Sequence, residues 1–342
     1  YLGAGGKQLF KSESPGPDPR GLRPRIKDTA SILYKIYLGF TVAQTVALML
    51  AGMSLYEALC HTFGTLATGG FSTRQASVAA YHSVSIDVII LFFMFCAGSN
   101  FALYFAVLRG NWKVFLRDTE WRVYTVIIVL CTLLVTANLV LGTWAAGPGE
   151  AARDYSWGQA LRYASFQVVS LMTTTGFCTD NFDIYPFFSR MLLVILMFVG
   201  GCAGSTGGGI KVVRIVMLAK MAYWRLERTF RPKTIRAIRV SDMVIGDEAQ
   251  HSVYAFFVLY IVWFALGSLF MSALGLPFQT AVTSVAATLN NIGPGLEQVG
   301  AIRDYHAIPD VGKIFLSLCM VMGRLELISI LVLFVPAFWR QG

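Results

Sequence analysis

Three times in this chain an apolar stretch too short to cross a bilayer runs into a loop centred on glycine. The stretches are Leu55 to Ala67, Gln159 to Thr173 and Phe278 to Asn290. The loops that follow are Thr68-Gly69-Gly70-Phe71, Thr174-Thr175-Gly176-Phe177 and Asn291-Ile292-Gly293-Pro294. A hydrocarbon core of ~30 Å needs ~20 helical residues, so segments of about a dozen can dip into it but must stop inside. Irregular backbone at that depth survives only where it is buried in protein or lines a wet cavity. A glycine loop so placed can aim carbonyl oxygens at an ion and replace its hydration shell, because glycine adopts backbone angles that a Cβ resists. The negative end of each short helix points at the same spot, which favours a cation. The pattern predicts a cation pathway.

Composition agrees with a polytopic membrane protein. Hydrophobic residues make up 56% and charged residues 14%, against about 25% charged in soluble domains. Six long apolar segments can be drawn: Ile32 to Met53, Val84 to Leu108, Val123 to Leu141, Met191 to Tyr223 with an interruption, Val253 to Leu276, and Ile314 to Phe338. Of 28 Lys and Arg, 20 fall on one side of this topology, in Lys7 to Lys27, Arg109 to Arg122, Lys211 to Arg239 and Arg340. By the positive-inside rule that side is cytoplasmic and all three short helices enter from outside. The net charge of +9 is thus a topology signal. The partner it implies is the lipid bilayer and not nucleic acid.

The glycines Gly70, Gly176 and Gly293 lie 106 and 117 residues apart, and each unit reads long helix, short helix, loop, long helix. The expected divisions are 1-29, 30-120, 121-245 and 246-342. Three units leave a gap in a four-sided ring. The opening YLGAGG and the basic, Pro-rich KSESPGPDPRGLRPR read as the end of a further unit that is expected to be absent from this chain. The six cysteines stand singly in apolar segments, without metal spacing, and read as small buried hydrophobes. Cys178 alone, after the second loop, is expected to be reachable by thiol reagents.

Two further features carry mechanistic content. Gly200-Gly201-Cys202-Ala203-Gly204-Ser205-Thr206-Gly207-Gly208-Gly209 puts six glycines in ten residues inside the fourth long segment. At ~1 kcal/mol per glycine relative to alanine, a helix does not persist through it. A face for close helix packing is the bland alternative, although packing motifs space their glycines by four. A phosphate loop fits worse, since Ile210 separates Gly209 from Lys211 and no strand is expected before it. Arg324 lies within the last long segment, where an arginine costs at least ~2.5 kcal/mol and marks function by default. Glu326, two residues on, is not read as its pair. His61 reads as a polar contact behind the first loop. Asp180 and Asp183 read either as solvated charges or as a negative vestibule. Asn100 and Asn138 are expected to bond across helices. No Ser/His/Asp, Cys/His or HExxH arrangement supports an enzyme.

The strings TLATGGFST, SLMTTTGFCTDNF, FVGGCAGSTGGGIKVVRI, AATLNNIGPGLEQVG and MGRLELISILVLFVPAFWR, in this order, resemble the TrkH/TrkG/KtrB superfamily of potassium uptake proteins, nearer the TrkH branch. The resemblance implies an all-α, pseudo-fourfold pore in one polypeptide, built of helix, pore loop, helix units. It further implies potassium as the transported ion with no organic cofactor, a bacterial inner-membrane location, a homodimer, and a cytosolic nucleotide-binding regulatory subunit. On this resemblance the twelve residues of the three glycine loops form the selectivity filter. Gly200 to Gly209 form an intramembrane gate loop, and Arg324 projects into the pore beside it. A sodium- or proton-coupled potassium symporter is the alternative, and a non-transporting receptor or intramembrane enzyme a third class.

Overall fold

The computed structural model describes residues 26–142, 155–231, 238–240, 243–325 and 327–334. The expectations placed on the first 25 residues, on Arg153, on Glu326 and on Phe338 and Arg340 lie outside them. α1 (Ile26–Leu50) starts a little before the expected boundary. It is followed by the short α2 (Leu55–Leu66), a 3-10 turn at Ser77–Tyr81, and α3 (Val84–Ala97). Next come α4 (Phe101–Leu108), α5 (Lys113–Arg117) and the long α6 (Thr119–Val140). α7 (Trp157–Met172), α8 (Phe187–Met197) and α9 (Val212–Phe230) complete the middle of the chain. α10 (Asp247–Ala273), α11 (Phe278–Leu289), α12 (Asp310–Arg324) and α13 (Leu327–Leu331) close it. The fold is mostly helical. Among the described residues it departs from all-α in a short antiparallel ribbon, Arg239–Val240 with Met243–Val244, and in an isolated parallel bridge between Val199 and Ile210.

Among the described residues three helices are long and apolar enough to cross a membrane, namely α1, α6 and α10. The pair α3 and α4 makes a fourth if its two parts count as one span. That pair corrects the sequence reading. The apolar run from Val84 to Leu108 predicts one segment, yet the chain turns by 95° between its halves. Apolar residues on both sides hide the break, which falls at Gly98-Ser99-Asn100. Asn100 is therefore not a mid-helix residue. Its side chain accepts from the Ala102 amide at 2.9 Å and caps α4, as a short polar side chain does at a helix start. Asn138 meets expectation, accepting from the Ser189 hydroxyl of α8 at 2.6 Å. The last long segment is likewise divided, with α12 ending at Arg324. The arginine sits in a final helical turn, where the partial negative charge of the helix end favours a cation.

The short helices start where their sequences specify. Ser54 caps α2 by accepting from the Glu57 amide at 3.3 Å. Ser156 and Gln159 form a reciprocal capping box at the head of α7. Pro277 precedes α11, a position where a missing N–H costs nothing. At 1.5 Å per residue, helices of this length reach at most ~24 Å, short of a bilayer core. The polar residues they bury are bonded to neighbours: Gln44 of α1 donates to the Thr65 hydroxyl at 2.8 Å, and Thr45 to Thr62 at 3.2 Å.

Candidate functional site

All three short helices end in the same way. The amides of Thr68, Thr174 and Asn291 each donate three residues back, to Thr65, Leu171 and Thr288, at 3.1 Å. The next amides, of Gly69, Thr175 and Ile292, each donate five residues back, to Gly64, Ser170 and Ala287, at 2.8, 2.9 and 2.8 Å. This pair of bonds is a Schellman ending. It demands a left-handed residue at the helix exit, and Thr68, Thr174 and Asn291 take φ of 53°, 58° and 57°. Two residues on, Gly70, Gly176 and Gly293 are left-handed again, at 63°, 82° and 104°. Left-handed positions thus alternate with ordinary ones in every loop. The amides at each exit are thereby turned back into the short helix.

The loops also meet in order. A side chain at Gly70 would collide with the Thr175 carbonyl oxygen, and one at Gly176 with the Ile292 carbonyl oxygen. The relationship is therefore the same from the first loop to the second and from the second to the third. A side chain at Gly293 would meet nothing within 4 Å among the described residues. Contacts behind the loops follow the same neighbours. The Cys178 amide donates to the Ser77 hydroxyl at 3.1 Å, and the Glu297 amide to Asp183 Oδ1 at 3.0 Å. The two aromatics after the glycines differ: Phe177 is buried and stacks on His61 with ring centres 5.6 Å apart, whereas Phe71 is 81% exposed.

His61 is buried behind the first loop as expected, with Nε2 3.0 Å from the Ser72 hydroxyl. Cys178 is not the accessible thiol that the sequence suggested. It is 4% exposed, because the second loop is covered by the segment around Ser77. Of the six cysteines only Cys60 is half-buried rather than buried. Asp180 and Asp183 are not plain solvated charges either. Asp180 accepts from the Tyr155 hydroxyl at 2.7 Å, and Asp183 is half-buried against the third loop. Burial raises the Asp183 carboxyl above its ordinary range, and the Glu297 amide partly offsets this.

The 200–209 segment has no helix and lies against the ends of all three short helices. The Thr68 hydroxyl donates to the Thr206 carbonyl at 2.9 Å, and the Gly208 amide to the Thr174 hydroxyl at 2.6 Å. A side chain at Gly207 would press on the Thr173 carbonyl, and one at Gly208 on the Asn290 carbonyl. Glycine at these two places is the condition of the close approach. Arg324 Nη1 donates to the same Thr206 carbonyl at 3.1 Å. The broken helix supplies further partners. The Cys202 amide donates to the Gly98 carbonyl at 2.8 Å, the Thr206 amide to the Ala97 carbonyl at 3.3 Å, and the Phe101 amide to the Gly204 carbonyl at 3.1 Å. On its other side the segment borders a cavity of about 410 Å³, lined also by Lys211, Arg214, Tyr260 and Arg324.

Several residues that build this region are not apparent from the sequence. Asn290, held by the Tyr260 hydroxyl at 2.8 Å, fixes the end of α11. Gly323 permits α12 to approach the Leu289 carbonyl, which a side chain there would strike. Glu120 and Lys211 are buried beside the 200–209 segment. The only sequence signal for Glu120 is an acid at the entrance to an apolar segment, a position that ordinarily reads as a solvated loop charge.

The family model described as TrkH, cation transport protein, matches residues 1–341. The Trk system potassium uptake protein TrkH of Salmonella typhimurium strain LT2 is 42% identical over 99% of this chain and 68% of its own length. The Trk system potassium uptake protein TrkG of Escherichia coli K12 is 31% identical over the same shares. Among solved structures, the crystal structure of the potassium transporter TrkH from Vibrio parahaemolyticus superposes with a TM-score of 0.84 at 37% identity. That match covers 94% of this chain and 67% of the other. By sequence and by fold, the chain belongs to the TrkH family of cation transport proteins.

Proposed function

We propose that this chain carries potassium across the bacterial inner membrane, as part of the membrane subunit of a Trk-type uptake system. The observation that supports this most strongly is the shared ending of the three short helices: left-handed backbone at alternate positions, and each of two glycines seated on the carbonyl of the next loop. On this reading the three units are repeats, and their loops take three places around one axis. The open side of Gly293 is where a fourth loop closes the ring. Thr68 and Gly69, Thr174 and Thr175, and Asn291 and Ile292 present the coordinating carbonyls. Their inequality predicts fewer well-formed ion sites than a filter of four identical quarters.

The 200–209 segment is the gate in this scheme, since it lies across the inner ends of the loops and its hydrogen bonds tie it there. Arg324 both holds the segment and places a fixed positive charge on the cation's route. Assembly as a homodimer on a cytosolic nucleotide-binding regulatory subunit completes the proposal. The test is growth of a potassium-uptake-deficient bacterium on limiting potassium. The full-length gene restores growth and Gly176→Ser does not. Equal rescue by both would remove the filter assignment.

A further inference from the structure

We propose that Glu120 is a positioning residue that fastens both ends of the 200–209 segment through a single carboxylate oxygen. The inference rests on the reading of that segment as the gate. Glu120 stands in the first turn of α6 and is 6% exposed. Its Oε1 accepts from the Ala203 amide at 2.7 Å and from the Val213 amide at 2.9 Å. One donor lies near the start of the segment and the other just past its end, in the first turn of α9. The first amides of a helix have no partner within the helix. Lys211, at the cap position of α9, provides no side-chain cap. Glu120 fills that role from a different helix, and its negative charge suits the positive end of α9.

Lys211 completes the arrangement from the opposite side. It is also 6% exposed, its ammonium donates to the Gly207 carbonyl, and it lies within electrostatic reach of Glu120. The acid takes amides at the two ends, and the base takes a carbonyl in the middle. A buried carboxylate is costly unless it is hydrogen-bonded and charge-compensated. Here both conditions are met, by the segment it would hold and by Lys211. A buried charge bonded in this way resists removal of its partners more than a neutral contact does.

The segment contains its own reporter. Cys202 is a free thiol at 0% exposure, between Gly201 and Ala203. In the protein with every other cysteine replaced, reaction of Cys202 with a water-soluble maleimide measures release of the segment. Rubidium flux without the regulatory subunit measures the consequence. Glu120→Ala, and Glu120→Met, which keeps volume but has no acceptor, are expected to speed labelling by about tenfold or more. Glu120→Gln keeps an oxygen able to accept both amides but loses the charge, and is expected to label at a rate between the parent and Glu120→Met. Rubidium flux should rise in the Ala and Met variants, and Glu120→Met should add nothing once Ala203 to Gly208 is deleted. Parent-like labelling in a folded Met variant overturns the proposal, as does a Gln variant that labels as fast as Met. Faster labelling with unchanged flux upholds Glu120 as the fastening and overturns the gate reading instead.

Discussion

Thr68 and Arg324, far apart in sequence, donate to one acceptor, the carbonyl oxygen of Thr206, at 2.9 and 3.1 Å. The exit of the first short helix and the last turn of α12 are thereby joined through the 200–209 segment. A disturbance at either end is felt at the same atom.

The first prediction follows from that shared acceptor. Arg324→Ala removes a charged donor and a positive charge from the route, and potassium flux should rise by about three- to tenfold. Arg324→Lys should fall between, because it keeps the charge and loses the planar multi-donor head. Thr68→Val should raise flux less. Tracer uptake into liposomes, normalised to inserted protein, measures all three, and a lower flux in a folded Arg324→Ala protein refutes the obstructing role.

Deletion of Ala203 to Gly208 should raise flux and weaken its dependence on the regulatory subunit. Combined with Arg324→Ala the effect should be less than additive, since both act on one obstruction. Full additivity in the same uptake assay would separate the two residues' roles.

In the proposed filter, Gly70→Ser and Gly176→Ser put a side chain both on a left-handed backbone and into the neighbouring loop's carbonyl. Left-handed backbone alone costs roughly 1–2 kcal/mol for a non-glycine residue. The potassium concentration for half-maximal uptake should therefore rise by about tenfold or more, with preference over sodium reduced. Competition of sodium with rubidium uptake reads out the second effect.

Asp183 gives a pH test. Burial raises its carboxyl above the ordinary value of 3.8, so the folded protein binds this proton more tightly than the unfolded chain does. Its contribution to stability is present below 3.8 and is lost as pH rises through the folded-state value. Asp183→Asn keeps an oxygen for the Glu297 amide and removes the titration. The fall in melting temperature with rising pH across the acid range should be shallower in the variant, as followed by tryptophan fluorescence in detergent.

The short helices were legible in the sequence because length and hydropathy together leave one solution for a dozen apolar residues ahead of a glycine loop. The interruption at 200–209 was legible for a similar reason, since clustered glycines oppose a helix by a summed penalty. The break at Gly98 was not, because one glycine among apolar residues costs only ~1 kcal/mol, less than the contacts that stabilise the turn. Left-handed Thr68 and Thr174 were also hidden. Threonine has no preference for that region, and only the Schellman bonds of the whole loop hold it there. The charge of Arg324 is legible in an apolar segment, but its place at a helix end is not, since apolar residues continue beyond α12. Glu120 and Lys211 escaped because partners distant in sequence decide whether a charge at a helix entrance is solvated or buried.

The 95° turn between α3 and α4 bears on the energetics of opening. An unbroken helix would satisfy its backbone groups internally, whereas here Ala97, Gly98 and Phe101 are satisfied by the 200–209 segment. Withdrawing the segment orphans those groups, at about 1–3 kcal/mol each when no replacement is at hand. With the segment as the proposed gate, leaving the closed state is a local unfolding reaction rather than the swing of a free flap. The resting leak of the protein becomes a thermometer of how firmly ten residues are folded.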